Sequence, residues 1–364
     1  MIVLDKSIIT EEMIDAAQNA LANEFPLFGE SVFKFEEEFA YFCGSKFAVG
    51  VGSGTDALIF SLMASDVEGK EVVTSPASYI ATANAAIHSK ATPVFCDIDQ
   101  TNNIDHSLVE KKIGDSKKIK AIVPVHLHGY PAPMNELLEI VEGRDIFLVE
   151  DAAQAHGAIY FGKRTGALGH IGCFSFNPYK NISVGGEGGM ITTNDEEIAE
   201  KIRMIADAGR ENRFTHEHKI IGFSSRLSTV SAAVGRVQLR YLQEWNEKRR
   251  TAASIYRKLL ADVEEIVLPP DKTEIHSAYN KFAIKTNVRD ALKQHLNNND
   301  IESDPHYPIP IHMQPPYQKM GYKRGNFPNA ENFAATTLSL PMFVDITKEE
   351  IGEVCEVIRN FFEM

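Results

Sequence analysis

The sequence predicts an α/β protein built on a large, mostly parallel sheet, and three observations lead there. From about residue 46 to 195, short β-branched and apolar runs alternate with segments of helical period. These runs are continuously hydrophobic rather than alternating, the pattern of strands covered by helices on both faces. The 364 residues, 44% of them hydrophobic and with 16 prolines spread along the chain, suffice for one large domain and a smaller one.

The expected strands are 47–51, 71–74, 92–95, 121–125, 146–149, 173–176 and 190–193. Ahead of them, the stretch from Ser31 to Phe39 sets Phe35 and Phe39 on one helical face with acids opposite. Behind them, Ser228 is placed to cap a long helix in which Val230, Val234, Val237, Tyr241 and Trp245 recur at helical spacing. That helix leads into the second domain. The expected division is a large domain over 1–244, with an N-terminal helical segment, and a smaller C-terminal α+β domain over 245–364. The last helix starts at a capping box, Thr347-Lys348-Glu349-Glu350, and then carries Ile351, Val354, Cys355 and Ile358 on one face. The sequence has no internal repeat and no low-complexity tract.

Composition narrows the partners. A formal charge of -13 argues against a nucleic-acid surface, which needs clustered Lys and Arg to displace counterions, yet it leaves room for anionic small molecules in a locally basic pocket. No apolar stretch approaches the roughly 20 residues that span a bilayer. The start, Met1 to Lys6, lacks a basic flank and an apolar core, so a cytoplasmic protein without membrane partners is expected. Cys43, Cys96, Cys173 and Cys355 are far apart in the chain and read as small core residues, neither a disulfide frame nor a metal motif.

Residues with chemistry gather at the ends of the expected strands. Asp151 comes just past the run from Ile146 to Val149, with Gln154 behind it, and Lys180 follows the run from Cys173 to Phe176. A carboxylate that keeps a ring nitrogen protonated, with an amine that holds an aldehyde as a Schiff base, is what pyridoxal phosphate chemistry requires, and these residues look like a site for that cofactor. The stretch Gly52-Ser53-Gly54-Thr55-Asp56 follows a strand and opens a helix, which points N–H groups and the positive end of the helix dipole at an anion such as phosphate. Ser175 is close enough in sequence to Lys180 to reach the same phosphate. Tyr79, after another strand end, can stack on a pyridine ring.

Each of these residues taken singly also has an ordinary reading: the glycine turn as a turn, Tyr79 as core, Asp151 as a helix cap, Lys180 as a solvated lysine. Around Lys180, apolar Cys173-Phe174 and the run Gly185-Gly186-Glu187-Gly188-Gly189 suggest confinement, where desolvation and a nearby cation lower an amine's pKa and make it nucleophilic. The pairs His126/His128 and His216/His218 lack a supporting Cys or carboxylate frame, so no metal is expected. Arg210 to Thr215 reads as a surface loop.

Together, the Ser-Gly-Thr turn, Tyr79 with Ala81-Thr82-Ala83-Asn84, Asp151 with Gln154, Ser175 with Lys180, the glycine run and His306-Tyr307-Pro308-Ile309-Pro310 resemble the DegT/DnrJ/EryC1/StrS aminotransferases, mostly sugar-modifying enzymes. The resemblance runs from Phe35 to Met342. It implies the aspartate aminotransferase fold, pyridoxal phosphate fold type I, and a homodimer with shared active sites. It further implies that Lys180 bonds the cofactor covalently, that Asp151 pairs with the pyridine nitrogen and Gln154 with the phenolic oxygen, and that Gly54, Thr55, Asp56 and Ser175 hold the phosphate. Ser224 stands where many relatives carry an asparagine that reaches the phosphate of the partner subunit's cofactor. Arg226 matches an arginine that, with a His-Tyr pair like His306-Tyr307, approaches the substrate.

The activity implied is ping-pong transfer of an amino group from an amino acid such as glutamate to a nucleotide-linked keto sugar, in amino-sugar biosynthesis, with Lys180 carrying the proton. Two rivals stand beside it. Keto-sugar dehydratases resemble this chain but carry histidine at the position of Lys180. A non-catalytic regulatory protein of the same fold is disfavoured by intact Lys180, Asp151 and Gln154.

Overall fold

A computed structural model describes residues 1–363. Its central sheet is made of β1 (Phe47–Val51), β2 (Glu71–Thr74), β3 (Thr92–Phe95), β4 (Ile119–Val123), β5 (Phe147–Asp151) and, past a short hairpin of β6 (Ile159–Tyr160) and β7 (Lys163–Arg164), β8 (Ile171–Ser175) and β9 (Gly189–Thr193). The seven strands lie in the order β1-β9-β8-β5-β4-β2-β3. From β3 to β8 all neighbours are parallel, and β9 is inserted antiparallel between β8 and β1. Every expected strand is present, the first three with the expected ends and the last four with one or both ends shifted by one or two residues. β4 stops at Val123 because Pro124 has no N–H to donate to a ladder, although Val125 still bridges Asp151. Pro93 is tolerated in β3 because that strand is at the sheet's edge.

The continuous hydrophobicity of β8 follows from its two covered faces. Cys173 packs into the cluster formed by the helix Gly54–Ala64 and the helix Glu196–Ala206, through Leu58, Leu62 and Ile202. Its neighbour Phe174 points to the opposite cluster, with Phe35 and Phe39 of the helix Glu30–Cys43. The Phe39 and Phe174 rings meet edge to face at 4.9 Å between centroids.

The helix Thr229–Leu259 begins where Ser228 accepts the Ser231 N–H at 3.1 Å, and runs unbroken past residue 245. Its first half packs with the phenylalanine cluster, whereas its last turns, through Ala252, Ala253 and Tyr256, enter a second core. That core is completed by β11 (Phe282–Lys285) and β12 (Thr337–Leu340), which pair antiparallel, and by the helix Lys348–Glu363. The intervening β10 (Ile275–His276) pairs with β6. The capping box closes as expected: Glu350 N–H donates to Thr347 Oγ1 at 3.1 Å and Thr347 N–H to Glu350 Oε2 at 2.7 Å. All four cysteines are free and buried. Among the described residues no helix is long and apolar enough to cross a membrane.

Candidate active site

The carboxyl ends of parallel strands are where loops converge on an open α/β sheet, and here β5 and β8 are neighbours with Asp151 paired in register to Cys173. The carboxylate that ends β5 and the turn that follows β8 therefore leave the sheet side by side. They border a cleft of about 740 Å³ that is also lined by Gly54, Thr55, Tyr79, Gln154, His306 and Tyr307.

Asp151 is only 5% exposed. Its Oδ2 accepts the Thr82 hydroxyl at 2.7 Å and its Oδ1 the Ala153 N–H at 3.3 Å. No helix begins after it, since the chain continues through turns into β6, so the helix-cap reading falls away. Burial pushes its pKa up, opposed by the Thr82 hydroxyl, the Ala153 N–H and the charge of Lys180.

Lys180 is half-buried in the turn after β8, its N–H donating to Asn177 O at 2.9 Å. The Asn280 amide grips both neighbours, donating to Tyr179 O at 3.1 Å and to Asn181 Oδ1 at 3.0 Å. Desolvation lowers the amine's pKa to about 8, with Asp151 pulling the other way and Lys281 adding to the fall. The amine is thus neutral in an appreciable fraction near neutral pH.

At the start of the helix Gly54–Ala64, Ser53 Oγ accepts the Asp56 N–H at 3.0 Å. The N–H groups of Gly54 and Thr55 have no partner within the helix and, with the dipole, favour an anion. Ser175 closes against this turn so tightly that a Cβ on Gly54 would come within 2.5 Å of Ser175 Cβ. Gly54, Thr55 and Ser175 therefore line one part of the cleft, with two free backbone donors and two hydroxyl-bearing side chains. Asp56 does not line the cleft, because its Oδ2 turns back to the hydroxyls of Ser53 and Ser225, at 2.9 and 2.7 Å.

On the opposite wall, Gln154 accepts the His128 N–H at 2.6 Å and donates to the Tyr307 hydroxyl at 3.1 Å. Tyr79 is 56% exposed, so it does not fill the core, and its ring lies 5.7 Å from that of Tyr307. His306 Nδ1 lies 3.0 Å from Ser339 Oγ, and its carbonyl accepts from His128 Nε2 at 3.0 Å. Burial pushes the pKa of His306 down to about 4 and that of His128 to about 3, which keeps both rings neutral.

Ser224 and Arg226 are elsewhere. Arg226 donates to Ser224 Oγ at 2.5 Å and to Asp207 at 2.6 Å, and neither residue lines the cleft of its own subunit. In the Arg210–Thr215 stretch, exposed over residues 211–215, the Arg213 guanidinium lies over the rings of Phe28 and Phe33.

Several residues of the cleft went unassigned in the sequence. Thr82 stands inside a motif already singled out, four positions after Ser78, whose hydroxyl it meets at 2.9 Å. Lys281 and Asp5, ion-paired at 2.6 Å, have no local signal because the whole sheet separates them in sequence. Members of the two histidine pairs have structural partners: His126 Nδ1 accepts the Ala132 N–H at 3.0 Å, so its Nε2 donates to Glu150, also at 3.0 Å, and His218 Nδ1 faces Ala208 O at 2.8 Å, whereas His216 is exposed.

The site fits pyridoxal phosphate on three counts: an amine with depressed pKa, a buried carboxylate on the adjacent strand, and a cradle of hydroxyls and helix N–H groups for a phosphate. Similarity to known proteins agrees. Residues 7–359 match the DegT/DnrJ/EryC1/StrS aminotransferase family. The chain is 38% identical over 340 residues to a "pleiotropic regulatory protein" of Geobacillus stearothermophilus, covering 92% of this chain and 90% of that one. It is also 38% identical over 339 residues to the dTDP-3-amino-3,4,6-trideoxy-alpha-D-glucose transaminase of Streptomyces venezuelae, covering 93% and 88%. The crystal structure of S. venezuelae DesV in complex with a ketimine intermediate superposes with a TM-score of 0.93 at 37% identity, over 97% of this chain and 95% of that one. The two share the fold, the type I architecture expected from the sequence.

Proposed function

The chain belongs to the DegT/DnrJ/EryC1/StrS aminotransferase family of pyridoxal phosphate enzymes, and from that premise we propose that it transfers an amino group from an amino acid, glutamate being the expected donor, to a keto sugar carried on a nucleotide. The observation that carries this reading is the meeting of Lys180 and Asp151 in one cleft with the Gly54-Thr55 turn and Ser175.

When bound, pyridoxal phosphate supplies an electron sink and a carbon that takes up and returns nitrogen. Gly54, Thr55 and Ser175 would hold its phosphate, Asp151 would keep its ring nitrogen protonated, Gln154 would meet its phenolic oxygen and Tyr79 would stack on its face. Lys180 is the base and acid. Its amine, neutral in part at neutral pH, takes the proton from Cα of the donor; in the second half of the cycle the ammonium returns a proton to the sugar carbon that receives nitrogen.

Ser224 and Arg226 are outside the cleft of their own subunit and would serve the cleft of a second copy, whereas His306 and Tyr307 line the cleft of the chain that carries them and would approach the substrate there. A homodimer supplies such walls twice through one isologous interface.

The test incubates purified protein and its Lys180→Ala variant with cofactor, glutamate and a panel of nucleotide-linked 3-keto and 4-keto sugars, and reads the products by mass spectrometry. An amino sugar from the wild type alone supports the proposal. A deoxygenated sugar without nitrogen points to a dehydratase, and wild-type turnover by Lys180→Ala removes the role given to that residue. Salt-dependent binding to duplex DNA without turnover on any sugar would favour a regulatory protein, as one relative is called.

A further inference from the structure

The first residues of the chain reach into the cleft. Ile2 N–H donates to Asp300 O at 2.7 Å, Glu302 N–H returns to Ile2 O at 2.9 Å, and Met342 N–H donates to Leu4 O at 3.1 Å. Leu4 N–H is taken by Glu302 Oε2 at 2.9 Å. On the far side, the Ser7 hydroxyl donates to Pro178 O at 3.0 Å, two residues before Lys180. The segment 2–7 is thus a strap from the second core to the lysine turn, and Asp5 at its middle lines the cleft together with Lys180 and Lys281.

Lys281 follows Asn280, the residue that grips Tyr179 and Asn181, so its backbone is fixed relative to the turn that carries Lys180. Its side chain is 7% exposed, and Asp5 Oδ2 accepts from its ammonium at 2.6 Å. An ammonium this sheltered requires a counter-charge, and removal of one partner leaves the other uncompensated. Asp5 is before the residues that match the family, 7–359, so the counter-charge comes from a segment outside the matched region.

We propose that Asp5 and Lys281 form a positioning pair for the active-site amine: the strap supplies the anion that holds a second lysine beside Lys180 and cancels its charge there. The proposal rests on the assignment of Lys180 as the cofactor lysine. The charged and titratable groups facing Lys180 are Asp151 from β5, Glu187 from the glycine run, Asp5 from the strap, Lys281 beside β11, His156 and His306; those facing Lys281 are Asp5, Lys180, His128 and His306. Asp5 favours the proton on Lys180 and Lys281 disfavours it. The two charges therefore act in opposition, and the consequences of removing them have opposite signs.

Without Asp5, Lys281 is left as an unopposed cation and Lys180 gives up its proton at lower pH. Without Lys281, the Asp5 carboxylate is unopposed and Lys180 holds its proton to higher pH. A strap that acted only as a tether would move both variants the same way, or neither. The expected displacement is roughly half a pH unit or more in each direction, the size of a unit charge acting through a protein of intermediate dielectric.

The test measures the protonation of Lys180 directly, by competitive acetylation of the full-length, cofactor-free chain across a pH series with mass spectrometry of the Lys180 peptide. Asp5→Asn should lower the midpoint, Lys281→Met should raise it, the double variant should fall near wild type, and Asp5→Glu should restore the wild-type value. In the cofactor-loaded protein, the pH at which the visible absorption changes should follow the same order. If Lys281→Met does not fold, Asp5→Asn and Asp5→Glu decide: a raised or unchanged midpoint for Asp5→Asn overturns the proposal. Because acetylation is indifferent to turnover, failure of the aminotransferase reading would be seen separately, as borohydride trapping of the cofactor on a lysine other than Lys180.

Discussion

Gln154 joins two walls of the cleft, donating to the Tyr307 hydroxyl at 3.1 Å while its oxygen accepts the His128 N–H at 2.6 Å. Removing the hydroxyl leaves the Gln154 amide one acceptor short but keeps the ring that lies 5.7 Å from Tyr79. A single hydrogen bond of this kind contributes about 1 kcal/mol. Tyr307→Phe should therefore lower kcat/KM for the sugar by about 3- to 10-fold, with the absorption of the bound cofactor unchanged. Steady-state kinetics and a cofactor spectrum check both halves, and a variant that loses the cofactor would give Tyr307 a different role.

The depressed pKa of Lys180 makes cofactor attachment pH-dependent in a defined direction. Only the neutral amine attacks an aldehyde, and desolvation brings its pKa down to about 8. Above that value nearly all of it is reactive; below it, the reactive fraction falls about tenfold per pH unit, leaving about one in ten at pH 7. Stopped-flow absorbance of pyridoxal phosphate mixed with the cofactor-free chain should show an attachment rate that declines through pH 8 as the solution is acidified. A rate still rising tenfold per unit between pH 9 and 10 would mean an ordinary solvated lysine.

Much of this was legible in the sequence because the residues that carry chemistry stand next to features that sequence patterns mark well. Asp151 and Ser175 end buried strands, and Gly54 opens a helix at a strand-to-helix turn. The close approach of Gly54 to Ser175, 2.5 Å for an added Cβ, is a tertiary fact, but glycine in that turn announced some such constraint. Asp5 and Lys281 were not legible, since each is an ordinary charged residue until the strap and β11 bring them to 2.6 Å. Asp56 was read as part of the phosphate turn by its place in the motif, whereas its carboxylate is engaged by Ser225, a contact between distant segments that no local spacing encodes.

Glu150 also escaped notice, as a charge within a hydrophobic strand. It is fully buried, and its carboxylate accepts from Gly166, Leu168 and Gly169 N–H at 2.8, 2.9 and 2.8 Å as well as from His126. The loop between β7 and β8 is thereby tied to the strand that carries Asp151. Glu150→Ala would leave four buried donors without an acceptor and should destabilise the fold by about 3–5 kcal/mol. Urea unfolding of the cofactor-free protein measures this, and a loss below about 1 kcal/mol would mean that water replaces the carboxylate without difficulty.

The placement of Ser224 and Arg226 leads to the last prediction. Arg226 is held by Asp207 and Ser224, outside the cleft where Lys180 lies. If Arg226 serves the cleft of a second copy, Lys180→Ala and Arg226→Ala are defects of different subunits' contributions to one site. In a mixed dimer, the site built on the Lys180→Ala chain receives the Arg226→Ala defect from its partner and has both lesions, whereas the other site has neither. Mixing the two inactive variants under subunit exchange should then restore up to half of the wild-type activity per mixed dimer, and nothing should return in either homodimer. The readout is amino-sugar production after mass-spectrometric verification of the mixed species. Verified mixed dimers without activity, formed from an Arg226→Ala chain that is folded, dimeric and inactive on its own, would confine Arg226 to its own subunit.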